Sequence, residues 1–583
     1  MAVNVPLIWS YIWSALYILS GVWYFVPRSK RLVHRLRCSL FGDPELQRLR
    51  GNLDNARNYD EWSEAAFVLD QYLPGNLEWK LNPVSPLYHW QQLKQRIANI
   101  ENALIAEDFN SALCLLQFGL VRGLGNIADE RLYNRVYSGT KWLIKEYMDA
   151  MANLLDNFFE GHWKGGTLPQ QSKMNYAERF RIAYSKTALV LQGGSIFGLY
   201  HIGVMKALHE RDLLPKVILG TGTGALMAVL VGTCKDADLP NLLNGRMLDL
   251  TAFAARERQP PPEWYDVFAI FCKRLKRFYD SGYVLDKDAL EKCVRDNVGD
   301  MTFREAHQLT GRIISISIEC DSPGTPNCLN YITTPHILLR TAALASNESD
   351  PDIAPAMIKE KNSRGEIRDW SLNDETPAFR KLRRKRQRRM PIKDDVNAPL
   401  QRISQLENVN HFIISQARPY LVPFLAPSLH RSNGPRQHSS PWSLTSLKDW
   451  LIHAIGKDLA HRMHQVDRIW GLPRRLRRFL IDERVPFRSL TMVPEVMPSD
   501  FLRLLRNPRQ AEIDYWIRLG EKSVWPCVAA LKVRCEIEFS LEERYRIERR
   551  RPLHEIYANE DEEGLPRRRW RRVRSTSTES TPF

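Results

Sequence analysis

Gly220, Thr221, Gly222, Thr223 and Gly224 lie between an apolar run and a helical one, within VILGTGTGALMAVLVG (217–232). A strand that turns sharply into a helix is where G-x-S-x-G enzymes mount a serine nucleophile. The chemistry of that arrangement is acyl transfer, with the apex hydroxyl attacking an ester carbonyl. Here the apex of the pattern is Gly222, which has no side chain. Upstream, GGSIFG (193–198) ends a second apolar run and opens a second helix, with Gly193 and Gly194 at the turn. Backbone N–H groups at such a turn, aided by the positive end of the helix, converge on an anion. In ester chemistry that anion is the oxyanion of the tetrahedral intermediate, and losing one donor costs roughly 2.7–4 kcal/mol of barrier. Nucleotide phosphates use the same geometry, so one glycine turn does not choose between them. Two such turns in close succession are far more specific.

Other candidate groups are weaker. His201, in GLYHIGV, sits on the helix after the first turn and reads best as a buried histidine with its hydrogen bond satisfied. HAIGKD places His453 and Asp458 at the H-x₄-D spacing that acyltransferases use to deprotonate an acceptor hydroxyl. With 14 histidines in the chain, chance supplies on the order of one such spacing. The nine cysteines are scattered, without a C-x-x-C pair or a neighbouring histidine cluster. That spacing suggests neither a metal site nor a secreted disulfide framework, and no cofactor is called for.

The elements that position these residues follow from periodicity. TALVLQGG (187–194) and PKVILGTG (215–222) are apolar runs, each followed by a glycine turn and a helix. Consecutive strand–turn–helix units imply a parallel sheet with crossover helices. GRIISISIE (311–319) and VNHFIISQ (409–416) read as further buried strands. Before them, residues 44–160 carry apolar residues at three- and four-residue spacing, predicting helices over 59–73, 85–121 and 131–160.

At 583 residues, the chain exceeds one ordinary core, and two or three folded units plus tails are expected. Residues 1–43 form a candidate membrane anchor with a basic flank. LIWSYIWSALYILSGVWYFV (7–26) holds no charge, and at ~1.5 Å per residue it is long enough for one helical span. RSKRLVHRLR follows directly, which keeps that side cytosolic. A helical domain is expected over 44–172 and an α/β domain over 173–443, with a basic insertion near 378–400. A helical, basic extension is expected over 444–550, where an apolar stripe opposes a basic face, and a disordered tail over 551–583. The net charge of +16 suits an anionic partner, but no base-reading module appears, so a lipid surface is favoured over nucleic acid.

LVLQGGSIFGLYHIGVMKAL followed by LLPKVILGTGTGALMAVLVGT resembles the core of a patatin-like phospholipase domain, in its fungal and plant triacylglycerol-lipase branch. The likeness continues through GDMTFREAHQLTGRIISISI, LNYITTPHILLRTAALAS and GEKSVWPCVAALKVRCEIE. EWSEAAFVLDQYL and LYNRVYSGTKWLI resemble the helical domain that accompanies this branch. The resemblance implies a three-layer α/β/α domain and a Ser–Asp dyad, with an oxyanion turn at Gly193 and Gly194. It puts the catalytic carboxylate at Asp369, in IRDWSLNDETP (367–377). Two residues depart from the family pattern: Gly222 at the serine position and Trp370 where a glycine follows the Asp. On an elbow, Thr221 and Thr223 should face the sheet and helix rather than the cleft. The expected function is lipid-ester chemistry of the lipase or acyltransferase type, at an endoplasmic-reticulum membrane or lipid droplet, with the bulk of the chain cytosolic. The alternative is a membrane-bound pseudoenzyme that binds lipid or acts as a scaffold.

Overall fold

The computed structural model describes residues 44–249 (except 162, 165 and 194), 287–318, 327–348, 357–370, 398–417, 489–494 and 510–550, with a few isolated residues between 458 and 500. The expected anchor, most of the basic insertion, most of the stripe after 444 and the tail lie outside the described residues. Among the described residues, no single helix is long and apolar enough to cross a membrane.

Among the described residues, seven α-helices come first: α1 (Pro44–Asn55), α2 (Tyr59–Tyr72), α3 (Asn76–Leu81), α4 (Trp90–Ile105), α5 (Phe109–Gly119), α6 (Trp142–Glu160) and α7 (Gln170–Tyr184). Helix α6 shows why they pack. Leu143, Ile144, Tyr147, Met148, Met151, Leu154, Leu155, Phe158 and Phe159 recur at helical spacing and are all buried. The apolar period is interrupted in two places. Between α4 and α5, Glu107 takes a left-handed φ of 50° and the Asp108 side chain caps α5 by accepting from the Asn110 amide. Residues 131–141, expected to be helical, run from the end of a short 3₁₀ helix (Glu130–Leu132) into irregular backbone. The Tyr137 and Ser138 amides donate to the buried Asp70 carboxylate at 2.9 and 3.0 Å, and Gly139 has φ 79°. The Lys141 ammonium is drawn down onto the Trp79 and Asn82 carbonyls, both at 2.7 Å. These tertiary bonds replace the local ladder that periodicity alone would favour.

The second part comprises β1 (Lys186–Gln192), α8 (Tyr200–His209), β2 (Val217–Thr221), α9 (Thr223–Thr233), α10 (Leu239–Leu243), α11 (Lys287–Val298), α12 (Phe303–Thr310), β3 (Ile313–Ser317), β4 (Cys328–Asn330) and α13 (Leu339–Asn347). It continues with β5 (Lys359–Lys361), β6 (Ile367–Asp369), α14 (Ala398–Glu407), β7 (Val409–Gln416), β8 (Ser489–Met492), α15 (Gln510–Val524) and α16 (Val528–Arg550). Six strands form one sheet in the order β4-β3-β2-β1-β7-β8, while β5 and β6 form a separate hairpin. All neighbours in the large sheet run parallel except β3 and β4. Strand β8 falls within the stretch expected to be helical, so the sheet draws on residues near 490.

Alternate residues of the central strands feed two cores, because side chains alternate across a strand. Leu189, Leu191, Ile218, Ile314 and Ile413 join the larger one, against α8, α9, α13, α15 and α16. Ala188, Val190, Val217, Leu219, Phe412 and Ile414 pack on the opposite face against Leu400 and Ile403 of α14. Burial on both faces explains the unbroken apolar runs. Helix α9 has buried residues around its whole circumference, as expected of a helix lying inside the fold.

A buried polar junction ties the two parts together. Arg122, after α5, reaches Thr187 Oγ1 at the start of β1 (3.0 Å), the Arg534 carbonyl (2.6 Å) and the Glu538 carboxylate (3.0 Å). Glu538 accepts in turn from the Thr187 amide at 2.6 Å and from its hydroxyl.

Candidate active site

Strands β1 and β2 are in parallel register, with Gln192 opposite Thr221. Gly193 and Gly222 therefore directly follow neighbouring strands, and both turns leave the same, carboxyl end of the sheet. Gly193 has φ 82°, and a 3₁₀ turn, Ser195–Leu199, leads from it into α8. Gly194 lies outside the described residues. Gly222 has φ 60° and ψ −129°, a conformation that costs a residue with a Cβ on the order of 1–3 kcal/mol, and it stands at the N-cap of α9.

The flanking glycines are required by close approach. A Cβ on Gly224 would lie 2.2 Å from the Leu191 carbonyl oxygen, and one on Gly220 would lie 2.4 Å from Ala225 Cα. The two turns also touch, since a Cβ on Gly198 would meet Thr223 Cγ2 at 2.3 Å. Both flanking threonines are half-buried, each with a contact to protein. Thr223 packs its methyl against Gly198, and Thr221 Oγ1 is 3.5 Å from the Leu191 carbonyl.

Two residues with no motif of their own hold the apex. Ser346 Oγ accepts from the Gly222 amide at 3.0 Å and donates to the Ser317 carbonyl at 2.6 Å. Asn347 Nδ2 donates to the Gly222 carbonyl at 3.0 Å. The end of α13 thus grips the turn from both sides of the peptide. Ser346 closes the stretch LNYITTPHILLRTAALAS that carries the family likeness, but nothing local marks either residue as a partner of Gly222, over a hundred positions away.

Asp369 is exposed on β6, in register with Lys359. The Lys359 carbonyl accepts from the Leu338 amide (2.9 Å), and the Lys359 amide donates to Thr341 Oγ1 (3.2 Å), at the start of α13. Thr341 and Ser346 are separated by about 7 Å of helix rise, so the carboxylate and the apex are anchored to opposite ends of one short helix. None of the hydrogen bonds that hold Gly222 comes from Asp369. Trp370 is half-buried against the main core, with its amide bonded to the Ile358 carbonyl at 3.0 Å.

His201 is fully buried, and its Nδ1 is 2.7 Å from Ser415 Oγ at the end of β7. Burial pushes its pKa down to about 3, against an opposing pull from the Gln192 and Gly193 backbone, so the ring is neutral. It is the hydrogen-bonded buried histidine its position suggested. Of the pair at H-x₄-D spacing, His453 lies outside the described residues, and the exposed Asp458 is paired with Arg462 at 2.7 Å.

A mostly parallel sheet between helical layers, with a glycine turn and a sharp elbow on adjacent strands, defines the patatin-like class of lipid acyl hydrolase folds. Residues 189–394 match the patatin-like phospholipase family, and residues 43–181 match a domain of unknown function, DUF3336. Triacylglycerol lipase ptl1 of Schizosaccharomyces pombe is 31% identical over 492 residues, covering 84% of this chain and 83% of its own. Triacylglycerol lipase 3 of Saccharomyces cerevisiae is 26% identical over 643 residues, covering 93% and 94%. Triacylglycerol lipase SDP1L of Arabidopsis thaliana is 28% identical over 500 residues, covering 85% of this chain and 58% of its own. The chain belongs to the patatin-like phospholipase family, alongside these fungal and plant lipases.

Proposed function

We propose that this protein handles lipid esters of the triacylglycerol or phospholipid class at a membrane or lipid-droplet surface, with the serine step of hydrolysis missing. The observation that carries this reading is Gly222, with φ 60° and ψ −129° at the apex between β2 and α9. It takes the place of the family's serine, and a residue without a side chain forms no acyl-enzyme. Thr221 and Thr223, each half-buried in contact with protein, do not replace it. Gly193 and Gly194 would supply the oxyanion donors and Asp369 the base, as the family resemblance implies. Residues 7–26 would anchor the chain, at the endoplasmic reticulum or a lipid droplet, with the bulk of it facing the cytosol.

A fluorophosphonate probe tests the missing nucleophile. The natural protein should stay unlabelled and show no triacylglycerol or phospholipid hydrolysis. Gly222→Ser should gain both labelling and hydrolysis, and Asp369→Ala on that background should remove the hydrolysis. Labelling of the natural protein, or hydrolysis that survives replacing both threonines with Ala, would reveal another nucleophile and overturn the reading.

A further inference from the structure

Helix α15 lies beyond both family matches, the later of which ends at residue 394, yet it packs directly against the segment that follows Gly193. Helices α8 and α15 cross at backbone contact. A Cβ on Gly203 would lie 1.9 Å from the Ile517 carbonyl oxygen. One on Gly520 would lie 2.3 Å from the Tyr200 carbonyl oxygen and 2.8 Å from Gly203 Cα. Around that crossing, Tyr200 and Ser523 share a hydroxyl hydrogen bond of 2.6 Å, and Lys206 pairs with the buried Glu521. From the 3₁₀ turn, Phe197 stands edge-on to the fully buried Trp516, with centroids 5.3 Å apart and planes at 90°. The next residue, Gly198, packs on Thr223 of the elbow. The turn is thus held between α15 on one side and the elbow on the other.

We propose that α15 is the positioning element of the first glycine turn, with Trp516 and Gly520 setting where the backbone amides of the 3₁₀ segment Ser195–Leu199 point. The catalytic consequence rests on reading that turn as the oxyanion hole, but the mechanical claim does not. A polypeptide turn rich in glycine has little conformational preference of its own. Its geometry must come from what it packs against, and here a large share of that packing comes from α15. Trp516 and Gly520 touch no reacting atom. They act through Phe197, Tyr200 and Gly203.

The test uses hydrogen exchange of the full chain, read by mass spectrometry over residues 193–203. Gly520→Ala and Trp516→Leu should each speed exchange there by about tenfold or more, through local opening. Trp516→Phe, which keeps a ring against Phe197, should restore most of the protection that Trp516→Leu loses. Leu154→Ala, in the core of α6, provides a variant of similar melting temperature whose exchange at 193–203 should stay near the natural value. Should Gly520→Ala fail to fold, Ser523→Ala removes the Tyr200 contact without steric conflict and should give the same local signature. Exchange at 193–203 no faster in the α15 variants than in Leu154→Ala would overturn the proposal. In the Gly222→Ser background the α15 variants should lower kcat with little change in KM. If neither Gly222→Ser nor Gly222→Ser combined with Trp370→Gly shows hydrolysis, the oxyanion reading fails, and the exchange result still decides the role of α15.

Discussion

At the scale of single residues, Gly222 and Trp370 are, under the proposed function, separate obstacles to hydrolysis. A serine at 222 would supply a hydroxyl but must accept φ 60°, a strain on the order of 1–3 kcal/mol. Trp370 places an indole beside Asp369, where it packs on the main core. If the indole also closes the path of an acyl chain, hydrolysis should appear only in Gly222→Ser combined with Trp370→Gly, and a side-by-side ester assay of the two variants decides this. His201 makes a prediction about pH. Its folded pKa, near 3, lies below the ordinary 6.5, so the unfolded chain binds the extra proton. Its contribution to stability is whole above pH 6.5 and is lost as the pH falls toward 3. At pH 5 the loss should be about 2 kcal/mol, read as a falling urea midpoint. His201→Gln should flatten that slope. It should not abolish it, because burial and then Arg122 and Arg534 hold His411 low in the same way.

At the scale of elements, the elbow depends on glycines chosen for space. Gly224→Ala would drive a methyl into the Leu191 carbonyl of β1, a neighbour that cannot move aside without shifting the strand. A loss of about 1–3 kcal/mol or more is expected, measured as a lower melting temperature. Ala at Gly139, where nothing approaches the added Cβ, should cost little beyond the strain of its positive φ. The same packing explains what the sequence made legible. β1 and β7 are buried on both faces, so their apolar runs stand out, and the glycine turns mark where helices begin. By contrast, β5 (KEK) and β6 (IRD) are three-residue polar strands, and β8 (SLTM) is too short to show a period. The helical pattern over 131–141 was overruled by Asp70, which lies more than sixty positions earlier. Gly193 and Gly222 could be picked out by local grammar. Ser346, Asn347 and Trp516 could not, because their roles arise from contacts across 124 or more positions and leave no periodic trace.

At the scale of the whole molecule, Arg122 and Glu538 join the helical part, the sheet and α16 in one buried ion pair. Removing one partner strands a charge, so Arg122→Met or Glu538→Leu should each cost about 3–5 kcal/mol in chemical unfolding. The double variant should cost clearly less than the sum of the two. It should still fall short of the natural protein, since the Thr187 amide loses its acceptor, a penalty of about 1–3 kcal/mol. A second prediction concerns residues 1–30. Deleting them should move much of the protein from the membrane pellet to the soluble fraction of a lysate, and full-length protein that stays soluble would refute the anchor.

The junction at Thr187 also sets an order of events during synthesis. The strand that leads into Gly193 leaves the ribosome early, but its second residue, Thr187, is bonded to Glu538, 351 positions later. At roughly 5–20 residues per second, the growing chain waits about 20–70 s for that partner. Throughout that interval Arg122 and Thr187 face water or a chaperone, and the central strand has no finished edge. The protein's most vulnerable moment therefore comes before α16 emerges.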